Sequence, residues 1–178
     1  MPTTGKLFQP STNPEPQLYH VDHDMAVGSG SNVLVIVWRD RTTLSGVELC
    51  NAYFQAACRG QGNIFALVTI VENGAKLPEA RERKRLAELL SDSSDWLQVS
   101  TLVFEGSGFL AATIRGVVTG IALMANHSFP HRVFESISEA ARFIVREQRP
   151  NNSAPFVVGG VEAVVSGLRR QIAAHRFA

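Results

Sequence analysis

The residues best suited to chemistry in this 178-residue chain lie in a glycine turn that precedes a long apolar segment. The turn contains Gly106, Ser107 and Gly108, and the following residues 109–125 carry one charged side chain, Arg115. Backbone N–H groups at the start of a helix attract anions. We therefore interpret these four residues as a candidate ligand- or anion-binding site. The spacing matches neither a P-loop nor a G-x-G-x-x-G fingerprint, and a simple turn that starts a helix is the alternative interpretation.

Arg115 is unusual because it lies two turns into an otherwise apolar helix. A long charged side chain in that setting either extends to the rim of the protein or pairs with an acid. Glu105 and Glu135 are the candidate acids. The structural interpretation is an ion pair, and the functional interpretation is an arginine that binds an anion beside the glycine turn.

A cluster of histidines and aspartates near the start of the chain raises the question of a metal site. It consists of His20, Asp22, His23 and Asp24, and imidazole and carboxylate groups both bind zinc or iron. On a strand, successive side chains point to opposite faces, so His20 and Asp22 share one face while His23 points away. A solvated strand face is therefore favoured, and no metal or other cofactor is predicted.

The two cysteines, Cys50 and Cys58, fall in one predicted helix. Eight residues of helix separate their Cα atoms by about 12 Å, which is too far for a disulfide bond. Cys50 lies on the apolar stripe of that helix, where a cysteine is usually part of the core. Because no acid pair, catalytic triad or metal-binding spacing is present either, the chain is predicted not to be an enzyme.

The composition indicates a globular protein without a nucleic-acid partner. Hydrophobic residues make up 45% of the chain, charged residues 19%, and the formal net charge is +1, so there is no excess of basic residues to neutralise phosphates. The first residues lack the apolar core of a signal peptide, and unpaired thiols suit a reducing compartment, so a cytoplasmic location is predicted. Arg115, Thr113 and two glycines interrupt segment 109–125, which favours a buried helix over a membrane span.

Strands and helices alternate along most of the chain. Residues 18–27 alternate in polarity and predict a half-exposed strand, and the Gly-Ser sequence at 28–31 predicts the turn of a hairpin. Ser136 and Glu139 form a capping box at a helix start. The further patterns predict strands at about 32–38, 63–71, 99–104 and 131–134, and helices at about 43–59, 79–90, 109–125, 137–145 and 156–178.

The apolar helix has one face made almost entirely of small residues. Ala112, Gly116 and Gly120 follow one another at a spacing of four residues and therefore share that face. A face without side chains lets a neighbouring element approach closely. Close packing is therefore predicted at Gly116 and Gly120.

The order of these elements, the strand-to-helix passage from Trp38 to Leu44 and the segment RVFESISEAARFI (residues 132–144) together resemble a STAS domain. The resemblance is to the SpoIIAA-like branch of that superfamily, also called STAS/SEC14-like and found in bacterial proteins, and it covers residues 18–147. It implies an α/β fold with a layered sheet, in which an N-terminal hairpin is followed by alternating strands and helices, here with an extra C-terminal helix.

The resemblance implies a non-catalytic regulatory module that docks to a protein partner or self-associates. The alternative is a SEC14-like protein that binds a lipid or a nucleotide between the apolar helix and the sheet. Phosphoswitching STAS domains carry a serine or threonine in a D-S-[ST]-G motif after the third strand. Here residues 71–76 read VENGAK, without a hydroxyl, so a kinase-controlled switch is not implied at this position.

Three regions follow from these patterns: a disordered lead at 1–16, a STAS-like domain at 17–148, and a linker with an amphipathic helix at 149–178. The last helix carries an apolar stripe that must be buried somewhere. Because the domain before it is expected to close its own core, the stripe is predicted to bind a protein partner or a second copy of the chain. It consists of Val161, Val164, Val165, Leu168 and Ile172.

Overall fold

A computed structural model describes residues 15–59, 65–104, 109–148 and 155–175, so most of the predicted N-terminal lead lies outside the described residues. Within these ranges the chain forms six strands and five helices, and the predicted α/β class is confirmed. The elements are β1 (Gln17–Val21), β2 (Met25–Gly30), β3 (Val33–Trp38), α1 (Leu44–Arg59), β4 (Phe65–Val71), α2 (Ala80–Asp92), β5 (Leu97–Phe104), α3 (Phe109–Met124), β6 (His131–Phe134), α4 (Ile137–Glu147) and α5 (Val158–His175).

The six strands form one sheet whose spatial order is the order of the sequence. The first three strands pair antiparallel, and β3 to β6 pair parallel. Right-handed crossovers that always step in the same direction put their helices on the same face of a sheet. Accordingly Phe54 of α1, Leu90 of α2 and Ile121 of α3 share one core cluster with Leu34 and Leu67 of the sheet.

The N-terminal hairpin was predicted with one strand too few. Residues 18–27 divide into β1 and β2, because Asp22 Oδ1 accepts hydrogen bonds from the backbone N–H groups of Asp24 (2.8 Å) and Met25 (2.7 Å) and turns the chain. The predicted turn at 28–31 instead lies largely within β2. The real turn is at Ser31 and Asn32, whose φ angles of 49° and 61° fit a two-residue hairpin turn.

The glycines of β2 serve close packing rather than turning. A Cβ atom at Gly28 would lie 2.4 Å from Cδ2 of Leu168, and one at Gly30 would lie 2.8 Å from Cγ2 of Val164. Helix α5 therefore lies directly against this part of the sheet because both positions lack a side chain.

The prediction that the C-terminal helix stands apart from the domain is wrong in this structure. The five residues of its stripe (Val161, Val164, Val165, Leu168 and Ile172) are between 0% and 4% exposed, and they pack with α4 on the second face of the sheet. The extra antiparallel strands widen the sheet, and α4 alone does not cover that face. These side chains are thus core residues and are not available as an intermolecular surface.

Close packing at the glycines of α3 is also not found. No atom lies within 4 Å of a Cβ built at Gly116 or Gly120. Helix α3 buries the opposite side, where Ile114, Val118 and Ile121 contact the sheet and its neighbours. None of the helices in the described ranges combines the length and apolar character that crossing a membrane requires.

Candidate functional site

A cavity of about 90 Å³ lies between the sheet and the three helices α1, α2 and α3. Its floor is the sheet face that these helices cover, and the floor residues come from alternate positions of β3, β4 and β5, because alternate side chains of a strand share a face. They include Ile36, Thr69, Ser100 and Leu102.

The walls of the cavity are almost entirely apolar. Each of the three helices contributes side chains, which are Cys50 and Phe54 from α1, Leu86, Leu89 and Leu90 from α2, and Ile114, Val117, Val118 and Ile121 from α3. Most of these positions belong to the apolar stripes that fold the helices onto the sheet, so the same residues that build the core also build the cavity.

The mouth of the cavity lies where parallel strands end. Thr42 follows β3, and Lys76, Leu77 and Pro78 follow β4, so the rim consists of loops at the carboxyl ends of the strands. Open α/β sheets commonly bind ligands at this edge. Residues 105–108 connect β5 to α3, and Gly106, Ser107 and Gly108, which were predicted as a binding turn, lie outside the described residues.

Two polar side chains form a pair at one side of the floor. Ser100 of β5 and His131 of β6 are cross-strand neighbours, and Ser100 Oγ lies 3.0 Å from His131 Nδ1. His131 Nε2 is buried and has no hydrogen-bond partner among the described residues. Desolvation by burial, with a smaller contribution from His127, lowers the pKa of His131 to about 4. The imidazole is therefore neutral at pH 7.

Thr69 is the other polar group on the floor. It belongs to β4, which lies between β3 and β5, yet the residue is not fully buried, and it borders the cavity. Its hydroxyl makes no hydrogen bond to another described residue. A hydroxyl in an apolar setting without a protein partner is a group that water or a ligand can satisfy.

Cys50 borders the cavity but is not equipped as a nucleophile. The thiol is buried, and burial raises its pKa well above the ordinary value. The thiolate is the reactive form of cysteine, so a thiol with a raised pKa is a poor nucleophile at neutral pH.

The positive charge of Lys76 at the rim is paired with the carboxylate of Asp40. Lys76 Nζ lies 3.4 Å from Asp40 Oδ1, and the Lys76 backbone N–H donates to the Asp40 carbonyl at 2.5 Å. Desolvation opposes ionisation of Asp40, but the hydrogen bond from Lys76 and the charges of Lys76, His23 and Arg41 together outweigh it and lower the pKa of Asp40. The cation of Lys76 is thereby already partnered outside the cavity floor.

The histidine and aspartate cluster separates into two groups. His20 pairs with Asp22 at 2.9 Å, whereas His23 lies 3.4 Å from Asp24 and 3.7 Å from Asp40. The ligand atoms of His23, Asp24 and Asp40 lie within 4.8 Å of one another, as a metal site would require. Arg41 lies 3.7 Å from Asp24 and 3.5 Å from Asp40, and this cation offsets the carboxylate charge that would attract a metal.

Arg115 lies on the exposed side of α3 and does not border the cavity. Its guanidinium forms an ion pair with Glu135, one of the two acids named from the sequence. The two side chains are 46% and 66% exposed, so the pair belongs to the surface and contributes little to stability.

Thr69, Ser100 and His131 are not predicted as site residues from the sequence. Hydroxyl groups inside otherwise apolar strands were the available signal, because a buried polar side chain needs a partner or an opening. Comparisons of the chain with protein-family models, with curated proteins and with solved structures find no match. The geometry of the cavity therefore carries the functional conclusion.

Proposed function

We propose that this protein binds a small, largely apolar molecule in the cavity between the sheet and helices α1, α2 and α3. The observation that carries the proposal is a space of about 90 Å³ that has apolar walls, a few polar groups on its floor and a mouth at the carboxyl ends of the strands. Small-molecule sites commonly combine apolar walls with a few well-placed polar groups.

The size of the cavity supports a ligand rather than a packing defect. One water molecule needs about 10–15 Å³ of such space, and an engineered apolar cavity of about 150 Å³ binds benzene. Protein interiors are otherwise packed closely and contain few voids larger than water. A space of about 90 Å³ that opens at a rim therefore suits a compact ring or a short chain, part of which extends toward the mouth.

The side chains around the cavity support binding without catalysis. The pKa of His131 is lowered to about 4, which makes its imidazole a weak base for the neighbouring Ser100 hydroxyl, and the Cys50 thiol stays protonated. An activated nucleophile needs a base placed beside an accessible hydroxyl or thiol. These groups are better suited to recognising a ligand than to attacking it.

Tryptophan fluorescence tests the proposal directly. The chain has two tryptophans, of which Trp38 borders the cavity and Trp96 lies at the surface, so a Trp96→Phe protein reports from the cavity alone. Titration with benzene should give a saturable change. Val117→Phe, which fills the cavity from α3, should abolish that change, and Leu123→Phe at an 82% exposed position should not.

Native mass spectrometry of the purified protein is the second measurement, because it detects a small molecule that is retained from the cell. Absence of saturable binding for benzene and for a panel of similar compounds, together with no retained molecule, would contradict ligand binding.

The second candidate is the STAS-like regulatory module, acting through self-association. Its support is the run of parallel strands in sequence order with three helices on one face, together with an exposed apolar end of α3, where Leu123 is 82% and Met124 is 56% exposed. Light scattering over a range of concentrations should show a dimer that Leu123→Glu dissociates. A monomer at all concentrations would exclude this candidate.

A further inference from the structure

We infer that the ligand is an uncharged molecule whose apolar body carries one hydrogen-bonding oxygen, which is recognised by Thr69 and by the Ser100–His131 pair. This inference rests on the proposed ligand-binding function and specifies the chemical class of the ligand.

The register of the sheet brings the two polar positions together. Thr69 lies opposite Leu102 of β5, and Ser100, two residues before Leu102, lies opposite Leu67 of β4 and His131 of β6. Thr69 and Ser100 are therefore diagonal neighbours on the same face of adjacent strands, a placement within reach of one ligand group. Their neighbours on the floor are aliphatic, so the polar character of the floor is concentrated at one spot.

The polar spot has hydrogen-bonding capacity that the described residues leave unused. Among the described residues the Thr69 hydroxyl has no hydrogen-bond partner, and the Ser100 hydroxyl bonds only to His131 Nδ1. A hydroxyl both donates and accepts. A ligand oxygen at this spot would hydrogen-bond to Thr69, and an apolar ligand of the same shape would not.

The absence of charge on the floor excludes an ionised ligand group there. Among the described residues that border the cavity, Lys76 is the one with a permanent charge; it lies at the mouth and is paired with Asp40. His131 is neutral. An ion moved from water to such a floor would lose its hydration without gaining a counter-charge. The recognised group is therefore a neutral hydroxyl or carbonyl.

The test compares benzene, phenol and benzoate on the Trp96→Phe protein, with Trp38 fluorescence as the signal. Phenol should bind more tightly than benzene, and benzoate more weakly than both. Adding Thr69→Val removes the hydroxyl at nearly constant shape. It should weaken phenol binding roughly two- to tenfold, the value of one hydrogen bond, and leave benzene binding unchanged.

Two controls keep the result interpretable. Thr69→Ser retains the hydroxyl and should restore phenol binding, and Thr119→Val at an exposed position of α3 should alter neither ligand. If benzene and phenol bind but Thr69→Val affects them equally or not at all, the inference is wrong while ligand binding stands. If none of the three compounds binds to the parent protein, both the inference and the proposed function are wrong.

Discussion

His131 lies at the start of β6, where its ring is mostly buried and lies edge-on to His127, with ring centroids 6.1 Å apart. Burial penalises the charged imidazolium, and no acid partner of His131 is found among the described residues. The lowered pKa therefore reflects the cost of placing a proton in an apolar setting.

The first prediction concerns the stability of the fold at acidic pH. The pKa of His131 is about 4 in the folded protein against an ordinary value of 6.5, so the unfolded chain binds an extra proton between these values. Stability from this group is complete above pH 6.5 and is lost as the pH falls toward about 4, by on the order of 3 kcal/mol. Urea unfolding at several pH values should show this loss, and His131→Asn should reduce it. An identical pH dependence in both proteins would contradict the buried neutral histidine.

The second prediction contrasts two glycines. Gly116→Ala should stabilise the protein by roughly 0.5–1 kcal/mol, because glycine is unfavourable inside a helix and no atom lies within 4 Å of the new methyl group. Gly28→Ala should destabilise it, because the methyl group would meet Leu168 Cδ2 at 2.4 Å and the Gln17 carbonyl oxygen at 2.7 Å. Thermal unfolding measures both effects. Equal shifts for the two variants would remove the proposed contact between β2 and α5.

At the scale of elements, α5 together with α4 covers the face of the sheet that α1, α2 and α3 leave open. Its side chains interlock with the antiparallel strands at one end, and the Gln171 side chain accepts a hydrogen bond from the Leu18 N–H at 3.2 Å and donates one to the Pro16 carbonyl at 2.8 Å. These contacts join residues more than 150 positions apart in the chain, so the helix ties the C-terminal end of the fold to its first strand.

The third prediction follows from this packing. Leu168 is 1% exposed, and Leu168→Ala should cost about 2–5 kcal/mol through the lost contacts and the cavity left behind. Leu123→Ala, at an 82% exposed position of α3, is the matched control and should stay within about 0.5 kcal/mol of the parent. Chemical denaturation provides both values. A small effect at Leu168 would mean that α5 does not stabilise the sheet.

At the scale of the whole molecule, the sheet separates two cores. The face toward α1, α2 and α3 contains the cavity, and the opposite face is filled by α4 and α5. A well-packed second face holds the strands in position, and the strands in turn hold the floor of the cavity. Rigid support behind a binding site keeps its polar groups in place before the ligand arrives.

The fourth prediction is that the chain does not fold without α5. Removing residues 156–178 would expose Ala26, Val33 and Val35, which are each 1% exposed in the intact protein. We expect loss of a cooperative thermal transition and of benzene binding, because an uncovered apolar sheet face does not remain stable in water. Circular dichroism and fluorescence follow both properties. A truncated protein with a sharp transition would restore the interpretation of α5 as an appendage.

The local pattern of the sequence was sufficient for the α/β class and for most of the elements. Alternating runs of apolar residues and capping residues act over a few positions, and Ser136 caps α4 as its spacing with Glu139 predicts. The pairing of Arg115 with Glu135 could also be predicted from the sequence, because few acids lie near the ends of this apolar helix.

The tertiary structure decided where the apolar surfaces meet. The stripe of α5 has the same pattern whether it covers its own sheet or a second copy, and only the position of Gly28 and Gly30 opposite Leu168 and Val164 distinguishes the two. The cavity likewise depends on side chains from seven elements that are far apart in the chain, and Thr69 borders it because the three helices above leave a gap there. Periodicity reports which face of an element is apolar, but it carries no information about the gap between that face and its partner, because that gap is set by packing over the whole fold.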